Sequence, residues 1–515
     1  MENALKESGL LDHHKHILQC KTEAGHETVL RRIQTVQTDR RTLIGRSAYL
    51  DRLQRACSAN PDAVASARAA LDSAASAEHV LAQIDISASD LEKEATAQIY
   101  FNGTYTTPLN SIPYIVAILA ALKIYVAPLL ALCLPLILFV LPYVFMTSMM
   151  GTEIPWETYK TILFRFVLGI DTSEPWSLKQ LLKLIWGLAS FGQGILQPAF
   201  TAYHTWKLRR TFMGQAEAIR TYTGAAVTLQ ELLTSLVPCR QPYMPPVPAD
   251  PYVAVHWWST EKTVVEHYRS LIGWADMMFT LGGARETWRP VAWIAGHGTS
   301  GAGHGPALQL HGFHDVSIPA ATAVRNDLVL QGHTLITGPN RGGKSSVMRG
   351  VLQAVLCAQT FGAVPNARSA TMSTPYSAFY TRLVSADRPG SASLFESDVM
   401  FALDVLRGTS ADTSPFVMID ELFHSTNPSD AERSAAYFLR QLWASSRATS
   451  LISTHMFGLL NTAPDHVARK CVYATQAPDG SIDYTYSVRD GVCTVSSVGE
   501  VWASFIGAPS AFSKA

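Results

Sequence analysis

The chain has 515 residues, which allows three or four domains of about 150 residues each. Apolar residues make up 48% and charged residues 16%, and 41 basic side chains balance 41 acidic ones. That balance excludes the overall basic field of a dedicated nucleic-acid binder, though not a local patch. Seven cysteines are scattered without a CxxC pair, which argues against a disulfide framework or zinc site and fits a reducing compartment. The polar N-terminus lacks the apolar run of a signal peptide.

Residues 1–105 read as a helical region of mixed charge. The character changes in the next segment, 106–200. From Ile112 to Met150 the only charge is Lys123. As one helix this run would be about 58 Å long against a hydrocarbon core of about 30 Å. Either two short crossings turn near Lys123–Pro128, forming a transmembrane hairpin over about 112–150, or one crossing follows an interfacial helix. A hydrophobic core buried in protein is the alternative. Residues 178–200 read as an amphipathic interfacial helix carrying Lys179 and Lys183. The basic, aromatic flank Trp206–Arg210 places that side toward the cytoplasm. Residues 201–300 read as a helical connector broken by the proline-rich stretch 238–251, ending in the glycine-rich loop 296–305. From residue 301 to 515 strand–loop–helix alternation indicates an α/β domain. The expected fold is thus multidomain, with an α-helical N-terminal half holding transmembrane segments and a C-terminal α/β P-loop domain of the ABC type.

Three elements of that last domain carry chemistry. The short, mostly β-branched strand Leu335-Ile336-Thr337 leads into Gly338-Pro339-Asn340-Arg341-Gly342-Gly343-Lys344-Ser345-Ser346, and then into a helix-like segment. This is GxxxxGK[ST], the Walker A loop, in its required context. Glycines let successive N–H groups point at phosphate oxygens, and the helix N-terminus adds positive potential. Lys344 is expected to reach the β and γ phosphates of ATP, and Ser345 to offer its hydroxyl to Mg²⁺. Phe416–Glu421 reads as a buried strand ending in an acid pair. Asp420 is the expected metal ligand through water, and Glu421 the expected general base. Leu451–His455 is a second buried strand, with His455 placed to orient the γ-phosphate.

In this order the three elements resemble the ATPase of the MutS family, known from DNA mismatch repair. Further similarity lies in Asn326-Asp327, in Gln359–Pro365, in Ser393–Asp398, in Asp420–Asp430, in Thr454–Phe457, and in Ser497–Gly499 with Gly507–Pro509. The resemblance covers about 308–510. It implies an ATP- and Mg²⁺-dependent dimer in which Ser393 reaches the partner's γ-phosphate. Residues 28–105 bear a fainter likeness to the start of the family's helical core. The sequence also departs from the pattern. It has no Gly-x-Phe-x-Glu wedge motif, and the apolar insertion falls where the family has lever helices and a DNA clamp. The position of the adenine-stacking aromatic falls near Ala323-Val324. Arg341, Asp398 and Ser425 replace the usual Met or Ala, Glu and Gly.

The expected function is therefore a membrane-anchored MutS-like ATPase whose dimer-dependent hydrolysis drives a conformational change, with the ATPase domain facing the cytoplasm or nucleoplasm. The alternative is a DNA-binding ATPase of DNA repair with the apolar run buried as core. Residues 1–110 hold twelve basic against fourteen acidic residues, so no basic stripe for DNA appears there.

Overall fold

The computed structural model describes residues 1–85, 99–149, 151, 154–167, 177–238, 243–294, 307–365, 367–383, 394–409, 413–421, 423, 426–477 and 481–497. Ser393, the loop 296–305 and the C-terminal Gly-x-Pro stretch lie outside them. The chain forms two compact units. One comprises Met1–Leu71, Leu229–Gln241 and Ser270–Ala515, and the other Asp72–Thr228 and Pro242–Arg269. Both are assembled from separated stretches of chain.

In the first unit the strands are β1 (Trp288–Pro290), β2 (Ala292–Trp293), β3 (Ala307–Phe313), β4 (Asn326–Gln331), β5 (His333–Thr337), β6 (Ala363–Pro365), β7 (Ser369–Met372), β8 (Ala378–Arg382), β9 (Pro415–Asp420), β10 (Thr449–Ser453), β11 (Ala468–Gln476) and β12 (Ile482–Asp490). The main sheet has six strands in the order β12-β11-β5-β10-β9-β8. All its pairings are parallel except β11 with β12. The central strands HTLIT and TSLIS are buried along their whole length, as strands covered on both faces must be. Leu335, Val417, Ile419 and Ile452 of the sheet pack with Phe438, Leu439 and Leu442 of the helix Pro428–Trp443 in one apolar cluster. That helix starts at the Asn427 cap, with Pro428 in the first turn where a missing N–H costs nothing. The helix Lys344–Phe361 ends at Gly362, whose φ of 75° is the left-handed cap that glycine adopts without strain. A four-stranded sheet, β2-β7-β3-β4, and the short pair β1-β6 complete the β structure described.

The N-terminal helices of this unit are tied down by one buried carboxylate. Thr22 caps the helix Glu23–Gln34. Its backbone N–H and hydroxyl, with the N–H of Lys21, all donate to Oδ2 of Asp276 at 2.8 Å. Asp276 is fully buried, and that burial pushes its carboxyl above the usual range while these donors pull it back.

The second unit is helical. The apolar segment is one continuous helical path and contains no hairpin: Ile115–Ala121 passes through a π-turn at Leu122–Val126 into Ala127–Ser148. This corrects the expected turn at Lys123–Pro128. The wider π-turn relaxes the backbone just before Pro128, which then occupies the first turn of the next segment. The expected amphipathic helix 178–200 is likewise only the start of a 59-residue helix, Leu178–Leu236, which carries Pro198 inside it. Asp250 caps the helix Pro251–Thr260 and also accepts the backbone N–H of Tyr114 at 3.0 Å. Tyr222 meets Trp258 edge to face, their centroids 5.9 Å apart.

Candidate functional site

Three parallel strands converge on one loop. β5 delivers the chain into Gly338–Gly343, while the C-terminal ends of β9 and β10 deliver Asp420-Glu421 and Ser453 to His455. Ligand sites of open parallel sheets form at such strand ends. The loop conformation requires its glycines: φ is 151° at Gly338 and 95° at Gly343. A side chain at Gly338 would also meet the carbonyl of Val472 at 2.9 Å. Arg341 adopts φ 64° without being glycine.

Lys344 opens the helix and folds back over the loop. Its Nζ donates to the carbonyls of Gly338 at 3.1 Å and Pro339 at 3.3 Å. It also lies 3.1 Å from Nε2 of His455 and 4.0 Å from Oε1 of Glu421. Nε2 of His455 is 2.8 Å from the same Glu421 oxygen. Burial pushes the lysine ammonium below its usual range, while Glu421 and Asp420 pull it up. Beside this cluster, the Ser345 hydroxyl donates to Oδ2 of Asp420 at 2.6 Å. The structure thus brings together Lys344, Ser345, Asp420, Glu421 and His455, all singled out in the sequence.

Two contributors were not. Ser453, at the end of β10, donates to Oδ1 of Asp420 and accepts the backbone N–H of Glu421 at 3.1 Å. Glu421 sits at φ 55°, so this hydroxyl bridges the acid pair across a left-handed turn of backbone. Its signal was position: it is the last strand residue before Thr454-His455. Tyr486 is the other. It lines a cavity of about 250 Å³ together with Ala323, Val324, Arg341 and Gly343. Its ring lies against Gly343, where an added Cβ would come within 3.1 Å of it. Asn326 fixes this part of β12 by donating to the Tyr486 carbonyl at 3.1 Å and accepting the Val488 N–H at 2.7 Å. Tyr486 thus brings an aromatic ring from β12 to the cavity that Ala323 and Val324 line, which Phe313 lines as well.

Behind the site, Arg382 of β8 pairs with buried Asp398 at 2.6 Å and donates to the Ser397 carbonyl at 3.1 Å. The pair anchors the first turn of the helix Leu394–Gly408, which begins one residue after Ser393. Gln359 clamps the far end of the helix Lys344–Phe361 by bonding Gln37 and both backbone groups of Tyr376.

Residues 334–515 match the family model described as MutS domain V. The chain is 29% identical to the DNA mismatch repair protein MutS of Shouchella clausii over 204 residues, covering 39% of this chain and 23% of that protein. It is 33% identical to the DNA mismatch repair protein MSH3 of Chaetomium globosum over 205 residues, covering 35% of this chain and 17% of that protein. The chain thus spans less than a quarter of either relative. Over residues 334–515, then, the chain is similar to MutS domain V.

Proposed function

We propose that this chain binds ATP in the loop Gly338–Ser346 and hydrolyses it. The observation that carries this reading is the meeting of Lys344, Ser345, Asp420, Glu421 and His455 at the ends of three adjacent parallel strands. The Lys344 ammonium, held by two loop carbonyls, is poised to exchange them for phosphate oxygens. Ser345 and Asp420 present a hydroxyl and a carboxylate side by side, a donor set that suits Mg²⁺, which takes few protein ligands and keeps waters and phosphates for the rest. When bound there, Mg²⁺ neutralises charge on the transferring phosphoryl group. Glu421 orients and deprotonates the attacking water, and His455 fixes Glu421 on one side and faces the γ-phosphate position on the other. The adenine lies in the cavity beside Tyr486. Measuring ATP turnover with and without Mg²⁺, for the chain and for its Lys344→Ala variant, tests this. Equal turnover by the two would end it.

What the hydrolysis serves follows best from the relatives, both described as DNA mismatch repair proteins. A DNA-directed ATPase of this kind binds duplex or branched DNA with an affinity that falls steeply with salt. DNA binding in 50 mM salt that ATP does not alter would count against it. The family pattern further implies a dimer in which Ser393 completes the partner's site. If so, turnover per chain rises with protein concentration, and Ser393→Ala abolishes that rise.

One observation favours membrane attachment alongside this. The helical stretch Ile115–Cys133 is long and apolar enough to cross a bilayer, and only 17% of it is buried. Leu129, Leu132, Leu141, Trp186 and Phe200 are each more than half exposed. Exposed apolar surface on this scale calls for a partner or a lipid phase. In that arrangement the ATPase faces the cytoplasm or nucleoplasm. Flotation of the full chain with vesicles, and its loss on deleting 106–200, distinguishes lipid from protein as the covering phase.

A further inference from the structure

A second cavity of about 330 Å³ lies at the opposite end of the helix Lys344–Phe361 from the phosphate loop. The helix has 18 residues, so the two places are about 27 Å apart along it. Trp274, Met278, Leu281 and Phe361 give this cavity an apolar wall of aromatic and thioether character. Arg32 and Arg46 bring two guanidinium groups to it, and no carboxylate lines it. Neither arginine forms an ion pair among the described residues. Arg46 donates from Nη1 to the Thr360 carbonyl at 2.6 Å, and its guanidinium is held below its usual range first by burial and then by the nearby Arg32 charge.

Two uncompensated cations beside an apolar wall are an unfavourable arrangement. An anion between them removes the repulsion and makes charge-assisted hydrogen bonds with planar donors suited to oxyanions. The apolar wall asks for a body that gains by leaving water, and the volume sits at the small end of organic ligand sites. We propose that this cavity binds a small organic anion with a ring-sized apolar body and a single carboxylate, sulfonate or phosphate group. The head lies between Arg32 and Arg46, and the ring lies against Trp274 and Phe361. Because Arg46 also holds the last turn of the helix that begins at Lys344, occupancy is coupled to the end of that helix. The proposal is independent of the nucleotide reading.

The test uses the full-length chain with naphthalene-2-sulfonate as probe, followed by calorimetric titration at fixed ionic strength. Naphthalene-2-sulfonamide, which has the ring without the charge, and inorganic sulfate, which has the charge without the ring, serve as controls. The sulfonate is expected to bind at least tenfold more tightly than either, and excess ATP is expected not to displace it. An Arg32→Gln/Arg46→Gln double variant should bind sulfonate no better than sulfonamide. Gly45 lines the cavity on an exposed helical face with open space around its Cβ position, so Gly45→Phe fills the mouth without disturbing the fold. It should weaken the probe at least tenfold. Equal affinity for sulfonate and sulfonamide, displacement by ATP, or unchanged binding in Gly45→Phe with an unaltered thermal transition would each overturn the proposal.

Discussion

The ammonium of Lys344 lies 3.1 Å from Nε2 of His455, the nitrogen that is also 2.8 Å from Glu421. One ring nitrogen cannot accept a proton from the lysine and donate one to the carboxylate at the same time. The contact with lysine therefore competes with the contact to the acid. In the proposed ATP complex phosphate oxygens draw Lys344 away, and Nε2 then carries the ring proton, through a change of tautomer, and donates it to Glu421. The three side chains thus act as one switchable hydrogen-bond unit.

Glu421→Gln keeps the size and the neighbour contact of the side chain but removes its basicity. We expect ATP binding to survive and turnover to fall by roughly 10²–10⁴-fold, the usual contribution of a positioned base. Single-turnover measurements read it directly. Unchanged turnover would assign the proton to another group.

Lys344→Met should separate function from stability. The folded-state pKa of Lys344 is lowered by burial, so the unfolded chain holds this proton more tightly. The penalty is fully present below the folded pKa and is relieved as pH rises toward the ordinary lysine value. At neutral pH the apolar replacement is expected to abolish turnover and raise the melting temperature by about 2–4 °C, the scale of 1 kcal/mol in a domain of this size. A lowered melting temperature would show that the two loop carbonyls need the ammonium more than burial opposes it.

Tyr486→Ala removes the aromatic ring that β12 brings to the cavity lined by Ala323, Val324 and Gly343. Stacking of a base on an aromatic ring contributes about 1–3 kcal/mol. The Kd for ATP should rise by roughly tenfold or more while that for inorganic tripolyphosphate stays the same. Equal weakening of both would mean that the loop itself had moved.

Asp398→Ala leaves Arg382, itself only 15% exposed, without its carboxylate. Breaking a buried pair from one side costs about 3–5 kcal/mol. A large drop in thermal stability is expected, and Arg382→Leu/Asp398→Leu should recover most of it. The double variant tests whether the loss comes from the stranded charge or from packing.

Asp276→Asn addresses pH. Burial raises the folded pKa of Asp276 above the ordinary aspartate value of 3.8, so the folded chain holds this proton more tightly than the unfolded one. Stability from this group is therefore greatest in acid and declines as pH rises through the window between the two values. Asparagine keeps an oxygen for the three donors on Oδ2 and removes the buried charge. The pH dependence of unfolding should flatten over that window, with no loss at neutral pH. An unchanged profile would place the titration elsewhere.

The sequence alone located the glycine-rich loop 338–346, the acid pair and the histidine, because each is local: a short apolar strand followed at once by a chemically distinctive residue. It also determined that an apolar stretch starts near Ile112, since length and absence of charge need no tertiary knowledge. The three-dimensional arrangement decided the rest. Ser453 joins Asp420 to Glu421 only because β10 pairs with β9 in the register that sets Ser453 beside Asp420. Tyr486 reaches the cavity beside Gly343 only because Asn326 ties β12 to β4, 160 residues away in the chain. The turn expected near Lys123–Pro128 rested on the length of the apolar run against the bilayer core, and length alone does not reveal that a π-turn before Pro128 carries the helix through. Composition announces chemistry that one segment holds by itself. Where a site is shared between segments, backbone pairing selects its members, and hydroxyls and tyrosines give no sign in the sequence of which pairing they will meet.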